Sequence, residues 1–188
     1  MTERIYGDFE MIPEDFTPEA RLELSVMAID LTTQWQRCSA MSDLVAAYIA
    51  YAYHIRREMH TFHVYSSIST IFQELIENAA KYSRQREASI RVRVKHYNAV
   101  VRIEVQNDAT IGTAERFEKH VKMLLESDLE ELHAQIIEDQ SRDGTQSGLG
   151  LVILAQDYPV KLGFSFRRVG DEREVITVRA HYYVEVFL

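Results

Sequence analysis

Between residues 68 and 105 the spacing of apolar residues changes once, and that change limits the folds open to the chain. Ile68, Ile71, Phe72, Leu75, Ile76 and Ala79 recur every three or four residues, which puts them on one face of a helix over roughly 62–83. The spacing then becomes two. Ile90, Val92 and Val94 alternate with Arg91, Arg93 and Lys95, and beyond Asn98 the same alternation returns in Val101, Ile103 and Val105. Two half-buried strands joined by a short turn at Asn98 form an antiparallel hairpin. A one-sided helix beside strands with one apolar face buries both stripes when helices cover one face of the sheet.

The rest of the chain fits the same plan. Residues 1–17 read as irregular or extended, with Gly7 and Pro13 as punctuation. Thr17 and Pro18 suit the cap and first turn of a helix through "TPEARLELSVMAIDLTTQWQR". A second helix begins near Ser42 or Asp43, with Leu44, Val45, Tyr48, Ile49, Ala52 and Ile55 as its stripe. Phe117, Val121, Leu124, Leu125, Leu132 and Ile136 predict a helix over about 113–140 whose other face is acidic. "SRDGTQSGLG" reads as a flexible segment and "LGLVILAQDY" as a short apolar helix ended by Pro159. "KLGFSFRRV" and "REVITVRAHYYVEVF", separated by the turn "GDE", predict two closing strands. The expected class is α+β: a two-layer sandwich, mostly antiparallel, with helices on one face. Residues 1–188 form a single domain in this reading, and 1–61 make an N-terminal helical extension.

The formal net charge of −8 argues against sequence-independent binding to DNA or RNA, which needs a basic surface to displace counterions. One cysteine, Cys38, cannot form an internal disulfide, and no apolar run has the length of a membrane span. The expectation is a soluble, cytoplasmic protein.

Two segments carry chemistry. In "FQELIENAAKYS", Glu74 and Asn78 stand one helical turn apart and point the same way. An amide oxygen is a hard, neutral ligand for a magnesium ion that also holds nucleotide phosphates. A carboxylate one turn away can take a proton from a hydroxyl or a water, and Lys81 can reach a phosphate. A solvated helix face with a Glu77–Lys81 pair would give the same letters. In "SGLGL", Gly148 and Gly150 permit close backbone approach, and the helix starting at Leu149 offers free N–H groups to an anion. A glycine-rich junction needed only for tight packing is the other reading.

In that order, with a hairpin and a variable acidic segment between them, the two segments resemble the GHKL superfamily. This is the Bergerat ATP-binding fold of histidine kinases, anti-sigma-factor kinases, gyrase and the Hsp90 chaperones. "FQELIENAAKYS" looks like its N box and "SGLGLVILA" like its second glycine box, so the resemblance covers about residues 62–188. Two departures stand out. Where the superfamily carries D-x-G-x-G, this chain has "NDATI", with Asn107 at the Asp position and Ala109 and Ile111 at the glycine positions. Asp108 serves if the register slips by one. Gln146 replaces the first glycine of the second box, with Gly144 two residues earlier. His54, His60 and His63 lie in no recognisable phospho-acceptor box.

Within the superfamily, the Glu of the N box is similar to that of the anti-sigma-factor serine kinases. The "ELIENAAKYS" wording and the missing glycines resemble the SiaB-type kinases, which phosphorylate a Ser or Thr of a SiaC-type regulator in a switch controlling a diguanylate cyclase. The resemblance implies ATP and magnesium as cofactors, Glu74 as base and Asn78 as metal ligand. It also implies an ATP site built from Asn78, Lys81, Asn107, Gly144, Ser147, Gly148, Leu149, Gly150 and Thr177. Residues 113–146 correspond to the ATP lid. A SiaC-like protein is the expected partner. Tyr48, Tyr51 and Tyr53 spread around one helix; a thick core accounts for them, and contact with a partner or with a second copy in a homodimer is the other reading.

Overall fold

The computed structural model describes residues 3–33, 35–53, 58–85, 87–143 and 148–184. Six strands form one sheet in the order β1-β5-β6-β4-β3-β2, and every neighbouring pair is antiparallel. The strands are β1 (Glu3–Gly7), β2 (Ala20–Met27), β3 (Ser89–Tyr97), β4 (Val100–Thr110), β5 (Val160–Arg168) and β6 (Arg173–Tyr183). The helices are α1 (Ala28–Thr33), α2 (Trp35–Ala50), α3 (Glu58–Lys81), α4 (Ile111–Glu126), α5 (Leu129–Asp143) and α6 (Leu149–Asp157), with a 3-10 turn at Tyr51–Tyr53. The expected α+β sandwich is the observed one. Among the described residues, no helix is long and apolar enough to cross a membrane.

The core lies between the sheet and the helices. Ile68, Ile71, Phe72 and Ile76 of α3 are fully buried, as are Ile90, Val94, Val101, Ile103, Phe164, Phe166 and Ala180 of the strands. The register explains which strand residues share that face. Val101 lies opposite Tyr182, Ile103 opposite Ala180, Val105 opposite Val178 and Asn107 opposite Ile176. Alternation therefore carries Asn107 onto the helix side with the apolar set. The β3–β4 turn is closed by Asn98 at φ 51°, a left-handed conformation that asparagine tolerates.

The helix expected across 17–37 is corrected. Residues 20–27 form β2, whose Leu22, Leu24 and Val26 lie opposite Val94, Val92 and Ile90. Leu22 and Val26 fit both a helical and a strand period, but Leu24 fits only the strand. The unpaired edge of β3 decides between them, because its backbone groups need partners. The N-terminal segment is therefore not a helical appendage: it supplies both edge strands, β1 and β2, as well as α1 and α2. The helix expected over 113–140 is two helices. The Asp128 carboxylate accepts from the N–H groups of Glu130 and Glu131 at 3.0 and 3.1 Å and caps α5.

The second face of the sheet is polar yet covered. Residues following β1 lie over it, and Glu14 accepts from Arg179 at 2.6 Å and from Arg102 at 3.1 Å. Glu104 accepts from the Nε of Arg179 at 2.6 Å, and Arg93 lies 3.2 Å from the same carboxylate. The alternating charges of β3 and β4 are thus partly a buried ion-pair network rather than a solvated face.

Candidate nucleotide site

Glu74 and Asn78 sit in the C-terminal part of α3, on the side that α6 packs against. The Asn78 amide donates from Nδ2 to the Glu74 carbonyl oxygen at 2.8 Å. A carbonyl can accept only from the NH2 end, so this bond fixes the amide orientation and leaves Oδ1 as the outward oxygen. Glu74 is half-buried. Burial first, and then the negative charge of Glu77, raise its pKa above the ordinary carboxylate value. Glu77 itself is exposed and accepts from Gln73 Nε2 at 2.9 Å. Lys81 lies a turn beyond Asn78, its ammonium 5.8 Å from the centre of the Tyr82 ring, and burial of its stem lowers its pKa.

The start of α6 meets these groups. Gly148 is its N-cap, at φ 91°, and among the described residues no side-chain hydrogen bond caps the helix. The first N–H groups of α6 are therefore open to an anion. Gly150 lies in the first turn, and a Cβ there would overlap the carboxylate of Glu74. Glycine at 150 is what allows the carboxylate to rest on the α6 backbone. A Cβ on Gly148 would lie 2.9 Å from Cδ2 of His120, so α4 closes a third side. Glu74, Gly148 and Gly150 are brought together as the sequence predicts, with Leu149 between the glycines. Gly144, Gln146 and Ser147 lie outside the described residues, as does His54.

Asn107 closes the sheet side. It is 3% exposed, and its Nδ2 is buried with no hydrogen-bond partner among the described residues. Buried amide groups are almost always satisfied, so an orphan donor facing the helix layer points to a partner that comes with a ligand. Asp108 faces the other way: Arg173 donates to it at 3.2 Å, and its backbone carbonyl accepts from the Arg84 N–H at 2.7 Å. Of the two, Asn107 is the one on the helix side of the sheet. Ala109 is fully buried, and Thr110 caps α4, its hydroxyl accepting from the Thr113 N–H at 3.3 Å. Thr177 is a correction. It lies opposite Gln106 and accepts from Gln106 Nε2 at 3.1 Å, on the sheet face turned away from the helices. Strand alternation separates it from Asn107, and the structure does not bring it to the site.

Residues 63–180 match the family model described as histidine kinase-, DNA gyrase B-, and HSP90-like ATPase. The chain belongs to this ATPase family. No curated protein matches the chain. Among solved structures it is similar to a chain of the crystal structure of the SiaB-SiaC complex from Pseudomonas aeruginosa. The TM-score is 0.60 and the identity 14%, covering 85% of this chain and 89% of that chain. At that identity the likeness is one of fold. The matched residues run from α3, with Glu74 and Asn78, through α6, with Gly148 and Gly150 at its start.

The residues present fit a purine nucleotide with a magnesium ion. The orphaned Nδ2 of Asn107 has a donor to offer a ring nitrogen of an adenine edge. The uncapped α6 start suits phosphates, and the outward Oδ1 of Asn78 suits a hard cation. The residue that motif reasoning missed is His120. Its signal was present: with Phe117, Val121 and Leu124 it occupies the i, i+3, i+4, i+7 stripe that faces the interior.

Proposed function

We propose that the protein is an ATP-dependent protein serine/threonine kinase that phosphorylates a SiaC-like regulatory partner, in a bacterial signalling switch that bears on cyclic di-GMP synthesis. The single observation that carries this reading is the Glu74 carboxylate resting on the first turn of α6, one turn from Asn78. ATP binding alone needs no base in that position, whereas transfer to a hydroxyl does. The fold likeness to a chain of the SiaB-SiaC complex supports the choice of partner.

In this mechanism Asn107 holds the adenine edge, while the N–H groups of α6 and the ammonium of Lys81 hold phosphate oxygens. Asn78 Oδ1 ligates magnesium. The ion, when bound with the nucleotide, offsets negative charge on the transferred phosphoryl oxygens. Glu74 orients the partner's serine or threonine hydroxyl and takes its proton as the oxygen attacks the γ-phosphorus, the bond to ADP breaking in line. Its raised pKa, caused by burial and then by the charge of Glu77, makes it a stronger base than an ordinary carboxylate.

The test is magnesium-ATP with a SiaC-like protein, followed by mass spectrometry of the partner for added phosphate. Glu74→Gln is expected to bind nucleotide with unchanged affinity and to transfer nothing. Normal transfer by that variant would overturn the assignment of the base. Partner binding without phosphate on either protein would make the chain a non-catalytic switch.

A further inference from the structure

His120 belongs to none of the motifs, yet it stands where the phosphates are expected. It projects from α4 against the beginning of α6, and a Cβ on Gly148 would lie 2.9 Å from its Cδ2 and 3.3 Å from its Nε2. The Cδ2–Nε2 edge of the ring therefore faces the uncapped helix start. The charges that act on the ring are both cationic, Lys81 from α3 and Lys119 from α4. The α6 start offers backbone N–H groups and the positive end of a helix dipole. Glu74, an acidic group of the site, meets α6 at Gly150 instead. Burial first, and then these positive neighbours, disfavour the protonated ring and lower its pKa.

Such a surrounding disfavours a proton only until an anion arrives. Nucleotide phosphates entering between α3, α4 and α6 would reverse the local field, and an imidazolium would then be the favoured form. We infer that His120 is a phosphate-contacting residue, which takes up a proton as the nucleotide binds and then donates from its ring to a phosphate oxygen. Nucleotide affinity is accordingly linked to pH. Binding tightens as pH falls toward 6.5, because the proton is taken up by the complex and not by the empty protein. The inference rests on the reading that α6 receives nucleotide phosphates.

The experiment is calorimetric titration of the full chain with magnesium-ADP between pH 6.5 and 8.5, in buffers of different ionisation enthalpy. The wild type is expected to take up a fraction of a proton, rising to about one where the empty and bound states differ fully. His120→Gln should bind with uptake close to zero, a flat pH profile, and affinity on the order of tenfold weaker at pH 6.5. NMR titration of the His120 ring in the wild type gives a second reading: its titration midpoint should rise when magnesium-ADP is added. If magnesium-ADP binds without proton uptake, or the midpoint stays fixed, His120 is not a phosphate contact and the nucleotide site stands. If magnesium-ADP does not bind at any pH, the nucleotide site itself falls, and this inference with it.

Discussion

The carboxylate of Glu74 occupies the space that a side chain at Gly150 would fill. The two residues lie in elements separated in sequence by a hairpin and two helices, and they meet because α6 packs on α3. A methyl group at 150 would have to displace Glu74, since helix backbone does not yield as a flexible side chain does. Gly150→Ala is therefore expected to fold normally, with a melting temperature near that of the wild type. Phosphate transfer to the partner should fall by about a hundredfold, the cost of moving a catalytic group by about an ångström. Single-turnover kinetics with saturating magnesium-ATP measures this. Unchanged transfer would mean that the position of Glu74 is irrelevant to the reaction.

Asn107 sets stability against binding. Its buried Nδ2 has no partner among the described residues, and an unsatisfied donor costs about 1 kcal/mol or more. Asn107→Leu, branched in the same way though bulkier, removes that cost and removes the polar group proposed to meet adenine. The variant should melt about 2 to 4 °C above the wild type when no nucleotide is present. It should also lose the rise in melting temperature that ATP gives the wild type. Scanning calorimetry with and without ATP checks both outcomes, and a variant that still responds to ATP would place adenine elsewhere.

Arg4 ties the first strand to the structure. Its guanidinium donates to Glu118 of α4 at 2.9 Å and to Glu174 of β6 at 3.0 Å, and both carboxylates are largely buried. Tyr6 donates to Glu118 at 2.5 Å. Arg4 first, helped by Tyr6, holds the Glu118 pKa below the ordinary value against the effect of burial. A carboxylate with a depressed folded-state pKa adds stability above its unfolded pKa and loses it as pH falls through the folded one. Arg4→Ala leaves two carboxylates without their shared cation and should cost about 2 to 3 kcal/mol at pH 7. The difference from wild type should shrink in acid, as pH falls through the folded-state pKa of Glu118. Urea unfolding at pH 7 and at pH 4 tests the sign.

Much of this arrangement is legible in the sequence, for reasons that differ by residue. The α3 stripe and the β3–β4 alternation are strong because each face is either wholly buried or clearly polar. Residues 20–27 were misread because Leu22 and Val26 satisfy two periods, and only the open edge of β3 selects between them. The polar face of the sheet looked solvated because nothing local reveals that residues after Gly7 fold back over Arg102 and Arg179. Glu74 and Gly150 are found by motif, but their contact is tertiary. Tyr53 is buried, its hydroxyl 2.5 Å from His96 Nε2, whereas Tyr48 and Tyr51 are 47% and 77% exposed. Three tyrosines within one short stretch thus have separate environments that composition cannot distinguish.

Glu77 offers a way to examine Glu74 without touching it. It is exposed, lies one position before Asn78, and its negative charge contributes to the raised pKa of Glu74, second only to burial. A general base works in its deprotonated form, so the transfer rate should fall on the acid side as pH drops through the pKa of Glu74. Glu77→Gln keeps the shape of the side chain, including an oxygen able to accept from Gln73, and removes the charge. Without that charge the Glu74 pKa decreases, and the acid limb of the rate profile should move to lower pH while the plateau rate is unchanged. Rates of phosphate transfer to the partner, measured from pH 5 to 8 at saturating magnesium-ATP, give both quantities. An acid limb that stays in place would show that Glu74 is not the group whose ionisation limits the reaction.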